Sequence, residues 1–217
     1  MTNKKGMFIV FEGIDGSGKE TQMFELAKYI RGRNKYQDVI ITHEPWKSEE
    51  IKRKLEEDKD AYSDGLKMAE LYVADRANHS AEIRSRINQG YFVICDRYKM
   101  STCAYQWTQG VGLDSLLKLH DHYPIRRPDL TFFIDVSPET AQFRRTARST
   151  ETEKFEQLKF QRELADNYHS LINRADCSEL FGKVITINGA ADIKSISSVI
   201  KEKFNPFYDE WFSGKLG

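Results

Sequence analysis

Long apolar runs are missing from this chain of 217 residues, and so is any excess of charge of one sign. No stretch approaches the roughly 20 apolar residues of a membrane span, so nothing predicts a bilayer-crossing helix. Lys plus Arg and Asp plus Glu each number 33, giving a formal net charge of zero. That balance argues against a dedicated binder of nucleic acid or of anionic membranes. Cysteine is scarce: Cys95, Cys103 and Cys177 are too scattered for a disulfide framework or a metal site by spacing. They read as free thiols in a reducing cytosol. Internal repeats and low-complexity linkers are also lacking, so a single domain over 1–217 is expected. The opening Met-Thr-Asn-Lys-Lys-Gly has no apolar core of a signal peptide, and the expectation is a cytoplasmic protein.

What is present begins at Met7-Phe-Ile-Val-Phe-Glu-Gly-Ile-Asp-Gly-Ser-Gly-Lys-Glu-Thr-Gln22, an apolar run followed by a glycine-rich loop ending in Gly-Lys. This is a phosphate-binding loop, with Gly13 and Gly18-Lys19 at Walker A spacing. Backbone N–H groups of Gly13, Ile14, Asp15, Gly16, Ser17 and Gly18 would converge on a di- or triphosphate, and a Cβ at the glycines would obstruct that approach. The following helix adds its positive end, and Lys19 adds a point charge toward the β- and γ-phosphates. Glu20 and Thr21 open that helix. Glu20 stands where a Mg²⁺-holding Ser or Thr is expected, and it either ligates the ion or repels the nucleotide.

Short β-branched and apolar runs recur at Met7–Glu12, Val39–Thr42, Tyr91–Asp96, Leu130–Val136 and Val184–Asn188. Amphipathic segments such as Lys19–Gly32, Asp64–Gln89 and Lys154–Asn173 lie between them. Such alternation predicts an α/β fold, a three-layer P-loop sandwich with a five-stranded, mostly parallel sheet flanked by helices. The charged stretches Ser48–Asp60 and Phe143–Glu156 read as candidate mobile segments. In such a sheet, ligands sit beyond the carboxyl ends of strands. Those ends are Glu12-Gly13, His43-Glu44-Pro45, Asp96-Arg97-Tyr98 and Asp135. Asp96 occupies a Walker B-like place for a Mg²⁺-bound water. Arg97 is suited either to fork onto a phosphate or to pair locally with Asp96.

With these residues, the chain resembles the thymidylate kinases of the nucleoside monophosphate kinase group. The shared features are Phe11-Glu-Gly-Ile-Asp-Gly-Ser-Gly-Lys19 with Thr21-Gln22, Glu44-Pro45, Ala74-Asp-Arg76 and Asp96-Arg-Tyr98. Ser101-Thr102, Ala104-Tyr-Gln106 and Arg127-Pro-Asp-Leu130 continue the series in order. The resemblance implies Mg²⁺-ATP as phosphoryl donor, dTMP as acceptor, dTDP as product, and a homodimer packed through long helices such as Asp64–Gln89. It assigns Asp15 to the sugar 3′-OH, and Tyr72 and Arg76 to the thymine ring. Arg97, Ser101 and Gln106 also fall on the acceptor side. Thr102 is assigned to the base edge, and Tyr105 to the face of the sugar where a ribose hydroxyl would clash. Asp96, and Glu20 if it ligates, would serve the metal. The family lid falls at about 142–157, and its arginines Arg144, Arg145 and Arg148 join Lys19 and Arg97 as catalytic residues.

Two departures stand beside the resemblance. One is Glu20. The other is His43-Glu-Pro-Trp46, which lacks the arginine and glycines often found around this Glu-Pro, leaving Lys47, Lys52 and Arg53 as nearby cations. Asn188-Gly-Ala190 sits where an Asp-Ala-like pair commonly borders adenine. The alternatives are a kinase for another deoxynucleoside monophosphate, or a nucleotide-binding regulatory protein in which Glu20 has impaired transfer.

Overall fold

A computed structural model describes residues 5–57, 64–146 and 158–214. Among them, strands β1 (Phe8–Glu12), β2 (Val39–His43), β3 (Phe92–Asp96), β4 (Leu130–Asp135) and β5 (Lys183–Asn188) form one sheet in the order β2-β3-β1-β4-β5. Every pairing is parallel. The sheet is therefore wholly parallel, where the sequence pattern predicts a mostly parallel one. β1, and β3 and β4 up to their last residues, are continuous buried runs, as central strands covered on both faces must be, whereas β2 and β5 lie at the edges and are partly exposed.

Alternate residues of these strands feed two layers, because strand side chains point to opposite faces in turn. Ile9, Phe11, Ile94, Phe132 and Ile134 pack with α1 (Lys19–Arg33) and α9 (Ile193–Phe212). Phe8, Val10, Val93 and Cys95 face Ile83 and Ile87 of α3 (Gly65–Asn88). On that same side, Phe133 meets α4 (Lys99–Thr108), α5 (Leu113–Asp121) and α7 (Leu158–Ile172). Helix α2 (Glu49–Glu57) follows β2, α6 (Pro138–Thr146) follows β4, and α8 (Cys177–Phe181) precedes β5.

Helix α2 corrects part of the expectation for Ser48–Asp60. Ser48 accepts from Ile51 N at 3.2 Å and its carbonyl from Lys52 N at 3.1 Å, which starts the helix, and Ile51 is fully buried. The charges thus belong to one face of a docked helix. Of the charged stretch Phe143–Glu156, residues 143–146 close α6, and the remainder, with Arg148, lies outside the described residues. The aromatic C-terminal segment packs on its own chain. Phe204, Tyr208 and Trp211 surround Phe92, with the Trp211 and Phe92 rings edge-to-face at 4.7 Å, and Trp211 donates to Lys5 O at 2.5 Å.

Candidate active site

The phosphate loop is built from β1 into α1. Gly18, at the N-cap of α1, is left-handed (φ 95°) and supplies no side-chain cap, so the first-turn N–H groups are left to an anion. Lys19 is buried, and its ammonium donates to Gly13 O at 3.0 Å and Ile14 O at 3.1 Å. Burial, with the Arg97 charge second, lowers it to about 8. An ammonium held on backbone carbonyls in this way is a cation without a full counter-charge, and a polyphosphate would supply one. The sign follows from linkage: bound phosphate raises this pKa, so binding takes up a proton once the free group has begun to lose its own. Proton uptake on ATP binding is expected to rise from near zero at about pH 6.5 toward one at about pH 9, with affinity falling as pH rises through 8. Calorimetry in buffers of different ionisation enthalpy reads this directly, and pH-independent uptake would remove Lys19 from the phosphate contact.

Gly16 (φ 85°) cannot carry a side chain. A Cβ there would stand 2.4 Å from Ala141 O and 3.1 Å from Arg145 Cγ. Helix α6 therefore lies directly on the loop, and it brings its two described arginines with it. Arg145 Nη1 donates to Asp15 O at 2.6 Å, and Arg144 Nη1 reaches Ser17 O at 3.4 Å. Glu20 is exposed on the first turn of α1 and makes no hydrogen bond or ion pair among the described residues, and Thr21 is half-buried beside it.

Asp96 ends β3. Its Oδ1 is buried and finds no hydrogen-bond partner among the described residues. Arg97, immediately after it, is in the left-handed region (φ 63°), a strained conformation for a residue with a Cβ. That turn aims the guanidinium at Asp15, with which it forms an ion pair, and at Ser101 Oγ at 3.2 Å, and the Tyr105 ring lies 4.9 Å beneath it. Tyr105 also donates to Asp15 Oδ2 at 3.0 Å. Burial raises the Asp15 carboxyl, but Arg97 and Lys19 more than reverse this and hold it at about 2. Asp15 is thus a fixed anion between the phosphate loop and a cleft of about 210 Å³.

That cleft gathers Asp15, Tyr72, Arg76, Arg97, Ser101, Thr102, Tyr105 and Gln106, joined by Glu44, Pro45 and Leu55. Arg76 on α3 is 1% exposed, and its Nε and Nη2 each reach Glu44 Oε2 at 2.6 Å. Nη2 also donates to Thr102 Oγ1 at 2.9 Å, and Nη1 lies 2.8 Å from His120 Nε2. Glu44 accepts further from His79 Nδ1 at 3.1 Å, and His79 Nε2 meets Thr42 Oγ1 at 3.0 Å. The Glu44–Pro45 peptide is cis. The loop after it is tied to α3 by Asp75, which accepts from Trp46 N at 2.5 Å and Lys47 N at 3.1 Å, while Trp46 stacks on His79. The cations near this loop stand apart from the cleft: Lys47 is exposed over the Trp46 ring, and Lys52 pairs with Glu49.

Sequence reasoning named Glu12 only as a strand end, without a role, and missed His79 and His120. Glu12 is fully buried and accepts from Tyr98 N (2.8 Å), Ser101 N (3.2 Å), Ser101 Oγ (2.5 Å) and Tyr168 Oη (3.1 Å). Its carboxylate thereby anchors the start of α4 to the strand that feeds the phosphate loop, a favourable place for negative charge. Burial raises its pKa. The available signal was an acidic residue ending an otherwise apolar strand.

The glycine-rich loop and the cleft share Asp15 as their common wall, with the Arg97 ion pair lying across it. Two adjoining sites of this kind, on a parallel sheet, define a P-loop nucleotide kinase. The particular family follows from comparison with known proteins. The thymidylate kinase family model matches residues 11–198, and the chain belongs to that family. A probable thymidylate kinase of Staphylothermus marinus is 36% identical over 195 residues, covering 85% of this chain and 93% of its own. One of Pyrococcus horikoshii is 37% identical over 205 residues (90% and 94%). The thymidylate kinase of Caldicellulosiruptor saccharolyticus is 33% identical over 205 residues (91% and 95%). No helix among the described residues is long and apolar enough to cross a membrane.

Proposed function

We propose that this chain transfers the γ-phosphoryl group of ATP to dTMP, yielding dTDP and ADP. Family membership carries the activity, and the observation that supports the acceptor is the donor-only Arg76 facing the cleft beside Thr102 and Tyr72. A guanidinium has no acceptor atom, so it favours a base that presents a carbonyl oxygen. Tyr72 offers its ring to the base, Thr102 and Gln106 offer polar groups to its edge, and Ser101 steadies Arg97. Tyr105 and Asp15, hydrogen-bonded together, form the wall assigned to the deoxyribose.

The acceptor is already a phosphate oxyanion, so no strong base is required. The rate comes from aligning two anions and neutralising the charge that spreads over the transferred group. Backbone N–H groups from Gly13 to Gly18, Lys19 and the start of α1 hold the donor phosphates. Arg97 bridges toward the acceptor phosphate, and Arg144 and Arg145 approach from α6. Arg148 is assigned with them from the resemblance. The orphaned Oδ1 of Asp96 fits a water-bound Mg²⁺ that arrives with the nucleotide, and the ion would neutralise β- and γ-phosphate charge. Among the described residues no group of three or more His, Cys, Asp or Glu could hold a metal ion, so such an ion would depend on phosphate oxygens for most of its ligands. Glu20, exposed on the first turn of α1, would contribute directly or through water. A homodimer paired through α3 completes the reading, and light scattering of the purified chain measures it.

The test is a coupled ADP-release assay with Mg²⁺-ATP against dTMP, dUMP, UMP, AMP, GMP and CMP. Strong turnover with dTMP, weaker with dUMP and little with UMP is expected. Protein that binds ATP but turns over none of them would overturn the kinase reading.

A further inference from the structure

His120 is buried on α5, 44 residues from Arg76, and it faces the guanidinium from outside the cleft. Its two ring nitrogens have partners of opposite kind. Nδ1 lies 2.7 Å from Leu116 O, which can only accept, and Nε2 lies 2.8 Å from Arg76 Nη1, which can only donate. One tautomer satisfies both: Nδ1 carries the proton and Nε2 presents its lone pair. Burial first, then the Arg76 charge, drives the His120 pKa well below the usual 6.5, so the ring stays neutral. Lys99 adds to the same effect.

The consequence falls on Arg76. Its five N–H bonds lie in one plane. The Nε bond is taken by Glu44, the Nη2 bonds by Glu44 and Thr102, and one Nη1 bond by His120. The remaining Nη1 bond is coplanar with these, so its direction follows the pose of the whole guanidinium, which His120 shares with Glu44 and Thr102 in fixing. Without an acceptor at position 120, the planar guanidinium as a whole could pivot on its Glu44 and Thr102 contacts and carry that donor out of line.

Resting on the base-reading role of Arg76 above, we infer that His120 is a positioning residue for acceptor-base specificity. It holds the last Arg76 donor toward the carbonyl that distinguishes a 4-oxo pyrimidine from a 4-amino one. The step involves no proton transfer and no contact between His120 and substrate. Gln, whose Oε1 can occupy the acceptor place, should substitute in part, and Leu should not.

The experiment compares wild type, His120→Gln and His120→Leu in steady-state turnover of dTMP and dCMP at saturating Mg²⁺-ATP. Leu is expected to raise KM for dTMP about tenfold, with kcat within about threefold, and to cut the dTMP-over-dCMP preference by a similar factor. Gln should recover most of both. Equal behaviour of Gln and Leu, or an unchanged preference in Leu, would overturn the inference while leaving wild-type turnover of dTMP to support the parent reading. Absence of dTMP turnover in wild type would instead remove the parent reading itself. Should His120→Leu fail to fold, ¹⁵N NMR of the wild-type imidazole decides. A non-protonated Nε2 supports the assignment, and a protonated Nε2 overturns it.

Discussion

Arg145→Ala is expected to lower kcat with dTMP by about 10³-fold, at the lower end of what a transition-state arginine supplies in phosphoryl transfer, while ATP affinity changes by less than about threefold. The expectation comes from contact geometry. The guanidinium of Arg145 already donates to Asp15 O at 2.6 Å, on the loop that cradles the transferred group, whereas Arg144 stands off at 3.4 Å from Ser17 O. A guanidinium placed this close to the loop contributes most where charge spreads over the transferred group, in the transition state. Gly16 strengthens the argument, because Ala141 O fills the space a loop side chain would need. No arginine can be supplied from within the loop at that position, which leaves the charge to cations outside Gly16, with Arg144 and Arg145 of α6 lying on the loop. Single-turnover kinetics of Arg144→Ala, Arg145→Ala and Arg148→Ala would separate the three. A loss confined to Arg144 or Arg148 would move the role away from Arg145.

Arg76→Met should lower the thermal midpoint by about 10 °C. Glu44 is almost fully buried, and removing the guanidinium leaves its carboxylate with His79 as its remaining described partner. Breaking a buried pair from one side costs about 3–5 kcal/mol, because the surviving charge is uncompensated. In a chain of this size each kcal/mol moves the midpoint by about 2–4 °C. Adding Glu44→Gln should return part of the loss by removing that charge, a non-additivity expected of residues in one network. Scanning calorimetry of both single variants and the double variant makes the measurement. A midpoint for Arg76→Met within about 2 °C of wild type would show that solvent or rearrangement satisfies Glu44.

Much of the architecture was legible because it depends on near neighbours in the chain. Phe-Ile-Val-Phe and Phe-Val-Ile-Cys are continuous apolar runs and Leu-Thr-Phe-Phe-Ile is broken only by Thr131, the pattern of strands buried on both faces of a parallel sheet. The loop from Gly13 to Lys19 is contiguous, so spacing alone identified it. Tyr72 with Arg76, and Thr102 with Tyr105, sit at helical spacings, which place each pair on one side of its helix before any fold is known. The charged segment after β2 was read less well. Its charge density masked Ile51 and Leu55, whose spacing of four is the apolar stripe of α2.

Sequence by itself determined the fold class, the glycine-rich loop after β1, the strand ends and the residue types that line the cleft, because each is a property of adjacent or periodically spaced residues. Only the tertiary structure decided how those groups are held. Glu44, Arg76 and His120 come from β2's end, α3 and α5, and nothing local in any of the three segments signals the other two. The strain at Arg97, the Asp15 ion pair and the covering of Gly16 by α6 likewise exist only once distant elements close together. The reason is physical. A buried charge is tolerable only beside its counter-charge, and burial and partner are both created by packing rather than by sequence spacing.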